Sequence, residues 1–141
     1  MSENNKRVAE QISAAALQAN VIDLTLPFPP EELQPNTHVD RRVKARTAKA
    51  YKRGCWLLVR SEMVRQGLTG PLKEPVRAEI VFVVFNLRRD TDNCVAAFKS
   101  GLDGIVATGL LRSDDARSLT IAPSVIRGAK QEIRVRLRGA G

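Results

Sequence analysis

Hydrophobic and polar residues alternate over Val21 to Leu26 (VIDLTL), with Ile22, Leu24 and Leu26 on one side and Asp23 and Thr25 on the other. A period of two marks a half-buried strand, and Pro27, Pro29 and Pro30 end it because proline cannot donate to a ladder. From Val39 to about Gln66 the rhythm turns helical. Val43, Thr47, Ala50 and Gly54 make a small or β-branched side that permits close approach of another element, while Trp56, Leu57, Leu58 and Met63 add apolar bulk expected to enter the core. Gly67, Gly70, Pro71 and Pro75 mark a loop before Val76 to Phe85 (VRAEIVFVVF), a β-branched and aromatic run that predicts a central strand. A second helix begins at about Asp92. Leu119 to Ile126 and Gln131 to Leu137 predict two strands joined as a hairpin around RGAK, with Pro123 at an edge or bulge. Asn4 to Leu17 predicts a short Ala-rich helix. These elements describe an α+β fold: one domain over residues 21–141, a small mixed β-sheet packed with helices, after a helical extension over residues 1–20.

At 141 residues and 43% hydrophobic, the chain is long enough for one core and too short for two. No run approaches the roughly 18 apolar residues of a spanning helix, and MSENNKRVAEQ lacks the apolar centre of a signal peptide, which predicts a cytoplasmic, nucleoid-associated protein and no membrane partner. Cys55 and Cys94 are too few and too far apart for a zinc cage or a disulfide framework and are read as reduced and structural. The net charge of +8 changes the picture more, because each cation set against a phosphate releases condensed counterions. Nucleic acid is the partner this balance favours. Arg42, Arg46, Lys49 and Arg53 recur at i, i+4, i+7 and i+11, a row of four cations on one helix face that matches a phosphate backbone. A solvated face is the ordinary use of such a row. His38, alone in the loop before this helix, reads as a surface residue.

Against that basic background the acids gather in Arg88 to Asp115, RRDTDNCVAAFKSGLDGIVATGLLRSDD. In an extended segment Asp90 and Asp92 point the same way and can share a cation. With a helix starting at Asp92, Lys99 and Asp103 return to within about 20° of it at roughly 100° per residue, so acid, base and acid line one stripe. Val95, Phe98, Leu102 and Ile105 form a separate side suited to the core. Singly, each of these charges has a structural use: Asp92 as an N-cap, Lys99 and Asp103 as an i,i+4 pair, Asp114 and Asp115 as a turn. Their concentration in a basic chain favours function. There is no GxxxxGK loop, GxSxG elbow, HExxH or Cys-x-x-Cys pair, which leaves hard-cation chemistry: Asp oxygens suit Mg²⁺, and such ions stabilise the oxygens of phosphodiester displacement.

The segment Arg-Asp-x-Asp-Asn at 89–93, then Lys99-x-x-x-Asp103 and Asp114-Asp115, resembles the RusA-like Holliday-junction resolvases, in particular the prophage-associated branch with the lysine seven residues after the second Asp. LPFPPEELQPN and the Arg/Lys-rich helix with KAY and CW are similar to the entry and following helix of that branch, so the resemblance covers roughly Leu24 to Leu137. In the better-known branch the lysine falls four positions after the second Asp, where this chain has Ala96. The resemblance implies a RusA-like nuclease domain over residues 21–141 in which Asp90, Asp92 and Asp115 ligate one or two Mg²⁺, Lys99 is the accompanying basic residue, and Asp103 and Asp114 support it. It further implies a homodimer making paired nicks in four-way junctions during recombination and repair. Arg88, Arg89 and Arg112 flank the acids and are expected to clamp phosphates beside the helix row. The rival reading is a DNA-binding protein on the same scaffold that does not cut, a regulator or accessory factor.

Overall fold

The structure, a computed structural model, describes residues 20–140. The helix expected over Asn4 to Leu17 lies outside the described residues. In chain order the elements are β1 (Val21–Pro27), a 3-10 turn (Glu31–Leu33), α1 (Arg41–Gln66), β2 (Val76–Val84), α2 (Thr91–Ala97), α3 (Lys99–Ala107), β3 (Leu119–Arg127) and β4 (Glu132–Arg138). They form one α+β domain with a mixed four-stranded sheet in the order β1-β4-β2-β3. The alternation read in the sequence sets the β1–β4 register: Ile22 lies opposite Leu137, Leu24 opposite Val135 and Leu26 opposite Ile133, all six buried. α1 is bounded chemically, by Asp40, whose Oδ1 accepts from the Arg42 N–H at 2.7 Å, and by Gly67, whose φ of 71° suits a left-handed C-cap that few other residues adopt cheaply.

β3 and β4 are not a hairpin. β2 lies between them, paired parallel with β3 and antiparallel with β4. The helical crossover α2–α3 is long enough to return the chain for parallel pairing, and a strand apolar on both faces gains most from a place with neighbours on each side. Pro123 lies on β3, at the sheet edge, where a missing N–H is tolerated. The link after β3 passes over the end of β2: Gly128 N–H donates to the Val84 carbonyl at 2.9 Å, and a Cβ at Gly128 would collide with the Val83 side chain.

The core side of α1 also differs from the expectation. Tyr51, Cys55, Val59 and Met63 form the buried stripe, at a strict i, i+4 repeat, whereas Trp56, Leu57 and Leu58 are 36%, 50% and 47% exposed. The close approach is supplied by the other helix. A Cβ on Gly104 of α3 would stand 2.6 Å from the Lys52 carbonyl oxygen, so bare backbone is what lets α3 seat against α1 and turn residues 51, 55 and 59 inward. Gly54, expected to provide that approach, has no atom within 4 Å of where its Cβ would be.

Four aromatic rings link the layers edge to face: Tyr51 of α1 to Phe98, Phe98 to Phe82 of β2, and Phe82 to Phe28 in the proline loop, at centroid distances of 6.4, 6.1 and 6.3 Å. The Tyr51 hydroxyl donates to the Pro27 carbonyl at 2.6 Å and ties the loop to α1. Because the carbonyl at Lys52 cannot retreat without unwinding α1, Gly104→Ala is expected to destabilise the fold by about 1–3 kcal/mol. Urea unfolding of the two proteins measures this, and equal midpoints would remove the close helix contact from the account.

Candidate functional site

β2 delivers the chain into a short turn in which Asn86 Oδ1 accepts the Arg88 N–H at 3.0 Å. The next residues cannot continue as strand, because Asp90 turns its carboxylate onto the following helix: Oδ1 accepts the Asp92 N–H at 2.9 Å and Asp90 becomes the N-cap of α2. Asp92 therefore sits in the first helical turn, and the two acids share a helix N-terminus rather than one face of an extended segment. The partial positive charge there favours both carboxylates. Both are exposed, and neither forms an ion pair with a described residue.

The helix expected to run unbroken from Asp92 is interrupted at Phe98, whose ψ of −1° separates α2 from α3. The break follows from packing, since the Phe98 ring must meet both Tyr51 and Phe82. Beyond it the charged stripe resumes. Lys99 Nζ donates to Asp114 Oδ2 at 2.8 Å and to Asp103 Oδ1 at 3.3 Å, so one ammonium joins α3 to the segment before β3. The bond to Asp114 holds the Lys99 ammonium above its ordinary pKa, and the same bond holds the Asp114 carboxyl below the usual range.

Asp115 has a different set of partners. Its Oδ1 accepts from the Arg117 backbone N–H at 2.8 Å and its Oδ2 from the Arg117 guanidinium at 3.1 Å, while its carbonyl accepts the Ser118 and Leu119 N–H groups at the start of β3. The two Arg117 bonds, the side chain's foremost, keep its carboxyl below the usual range. The parallel register from Val76↔Leu119 to Val84↔Arg127 places the turn holding Asp90 beyond one end of the β2–β3 pair and the turn holding Asp115 before the other. Nine residues at about 3.3 Å per step separate those strand ends by roughly 26 Å. The structure thus brings Lys99, Asp103 and Asp114 together, and Asp90 with Asp92, without joining Asp115 to either set. Among the described residues, no three His, Cys, Asp or Glu side chains are grouped so as to hold a metal ion.

The flanking cations divide in the same way. Arg88 and Arg89 stand beside Asp90, with the Arg89 guanidinium 5.4 Å from the centre of the Phe28 ring. Arg112 lies at the opposite end of β2, in a recess with Pro71, Lys73 and Glu74, because α2 and α3 have carried the chain back along the sheet. Arg42, Arg46, Lys49 and Arg53 are all exposed on α1 and form no ion pair with a described residue. Cys55 and Cys94 are buried free thiols, and burial pushes Cys55 up to about 11. Two features escaped sequence reasoning: the Asp115–Arg117 pair, for which the only local signal is the i,i+2 spacing of a turn, and a groove between the proline loop and α1 lined by Phe28, Arg46 and Tyr51, which joins segments far apart in the chain.

No helix among the described residues is long and apolar enough to cross a membrane. Comparison of the sequence with known protein families and with curated proteins gives no match.

The Lys99 node carries a pH dependence whose sign follows from its shifts. Asp114 titrates below 3.8 in the folded chain, so its contribution is complete above that value and is lost as pH falls through the lowered one. Both partners are partly exposed, at 63% and 41%, and solvent screening limits the pair to about 1 kcal/mol or less. Asp114→Asn is therefore expected to lower stability slightly at pH 7 and by less at a pH well below 3.8. Urea titrations at the two pH values check this, and a gap that persisted undiminished in acid would count against the pair.

Proposed function

We propose that the protein is a Mg²⁺-dependent endonuclease of the RusA-like kind, a homodimer that cuts four-way junctions and other branched DNA by paired phosphodiester hydrolysis. The observation that carries the reading is the pair of exposed carboxylates at Asp90 and Asp92, neither with an ion-pair partner among the described residues, following Arg88 and Arg89 at one helix N-terminus of a chain with net charge +8. Mg²⁺ is ordinarily held by one or two carboxylates with water completing its shell, and exposed Asp90 and Asp92 fit that demand. Asp115 is engaged by Arg117 and would join them only by releasing it. A bound ion would supply charge to acidify water and to offset charge on the scissile phosphate. In the hydrolysis a water oxygen bonds to phosphorus as the bond to the leaving oxygen breaks.

The chain's own residues take defined parts in this proposal. Lys99, held protonated by Asp114 and Asp103, is a fixed cation toward phosphate and not a general base. Arg88 and Arg89 hold the strand beside the acids, and the row from Arg42 to Arg53 tracks a duplex arm. Recognition of branch shape needs no base-specific contact. A second reading, a binder on this scaffold that does not cut, is favoured by one observation: the Asp115 carboxylate is engaged by Arg117, so three acids are not assembled.

Three measurements test the proposal. With Mg²⁺, a labelled four-way junction is expected to be cleaved by wild type, and Asp92→Asn to slow cleavage by at least about 100-fold while melting normally. Wild type that binds junctions and never cuts them decides for the second reading. Arg42→Ala and Lys49→Ala should each reduce the slope of log K against log salt by roughly 0.9, and unchanged slopes would return the row to solvent. Light scattering should give twice the 15.5 kDa chain mass, as a two-fold substrate favours a two-fold protein, and a monomer mass with junction present would remove paired nicking.

A further inference from the structure

We infer that the groove between the proline loop and α1 receives one unstacked nucleobase from a branched or bulged DNA, an inference that rests on the nucleic-acid reading above. The groove has a volume of about 560 Å³, within the roughly 300–1,000 Å³ of small-molecule sites. Pro27, Phe28 and Pro30 wall one side, and Thr47, Ala50 and Gly54 of α1 form the other, so most of its surface is apolar. Arg46 reaches its rim from the middle of the basic row, and Arg89 leans on the Phe28 ring from the side of Asp90. Apolar walls with the Arg46 cation among them, and Arg89 on the ring of one wall residue, match a nucleotide, whose base stacks through its faces while its flanking phosphates carry charge. A continuous duplex keeps its bases inside the stack and cannot fill such a groove. A branch point or bulge can.

Gly54 makes the case specific. It lies within the 26-residue α1, where glycine costs about two- to fivefold in the folding equilibrium relative to alanine. Nothing in the described fold accounts for it: its φ is not positive, and a Cβ would meet no atom within 4 Å. By contrast Gly104 of the facing helix is required by the Lys52 carbonyl. The bareness of Gly54 keeps open only the groove. A side chain added there fills the site without touching the core.

The test uses a duplex carrying one unpaired 2-aminopurine beside the same duplex fully paired, both in chelator. Wild type should bind the bulged duplex about tenfold more tightly and change the fluorescence of the probe as it stacks. Gly54→Leu should bring the affinity ratio close to one and abolish the fluorescence change. Gly54→Ala should melt about 3–5 °C above wild type, since it removes the helix penalty without strain. Should Gly54→Leu melt well below wild type, Ala50→Leu, exposed on the same wall, supplies the block instead. Retention of the full ratio by a folded blocking variant overturns the inference, as does a Gly54→Ala protein that melts no higher than wild type. Wild type that binds both duplexes equally overturns the groove alone, whereas wild type that binds no DNA overturns the nucleic-acid reading with it.

Discussion

The arrangement of this molecule depends on a line of four rings. Tyr51, Phe98, Phe82 and Phe28 belong to a long helix, a helix junction, a central strand and a proline loop, and consecutive members meet edge to face. Such pairs contribute about 0.5–1.5 kcal/mol each beyond the area they bury, and their geometry is directional. Each contact therefore fixes an orientation as well as a distance. Gly101 leaves the space that this requires, since a Cβ there would fall 2.9 Å from the Tyr51 ring and closer still to Phe98. The helix interruption at Phe98 is the local cost of keeping the line intact.

The charges take their places from that line. Phe28 carries Arg89 on its face, Phe82 lies two residues before the end of the strand that leads to Asp90, and Phe98 immediately precedes Lys99. A rigid apolar axis so positions a surface whose members are otherwise free in solvent. Two clusters result. One, around Asp90 and Asp92, keeps its carboxylate oxygens largely available; in the other the Lys99 ammonium is held in place by Asp103 and Asp114. The tyrosine at the end of the axis is itself kept neutral, because burial raises its pKa and its hydroxyl is committed to the Pro27 carbonyl.

Periodicity made much of this legible. The strands at Val21 and Val76 and the helix ending at Gln66 follow from spacing, and the Lys99–Asp103 pair from an i,i+4 interval. Most of what was illegible shares one physical character: it is decided by pairs distant in sequence. Strand order placed β2 between β3 and β4, although the short RGAK turn suits a hairpin. The turn of α1 about its axis was set by Gly104 on another helix, so Leu57 and Leu58 face solvent while Cys55 and Val59 do not. Asp115 was grouped with Asp90 through the family resemblance, and its engagement by Arg117 before β3 has no signal in the sequence beyond the spacing of a turn. Lys99 and Asp103 were aligned with Asp92 through a phase count that Phe98 interrupts, yet Asp103 and Asp114 still meet the same lysine.

The last strand of the sheet is also one of its two inner strands. β4 spans Glu132–Arg138 and is flanked by β1 and β2, elements whose paired residues precede it by 49 or more. During synthesis the ladder on each of those strands must wait, open to other chains, until nearly the whole domain has left the ribosome. Contacts of such long sequence separation also slow folding once the chain is complete. A message cut short before residue 132 would leave two unpaired strand edges and a bisected core, a species disposed to aggregate and not to retain partial function. The topology therefore makes appearance of the fold nearly all-or-none in time.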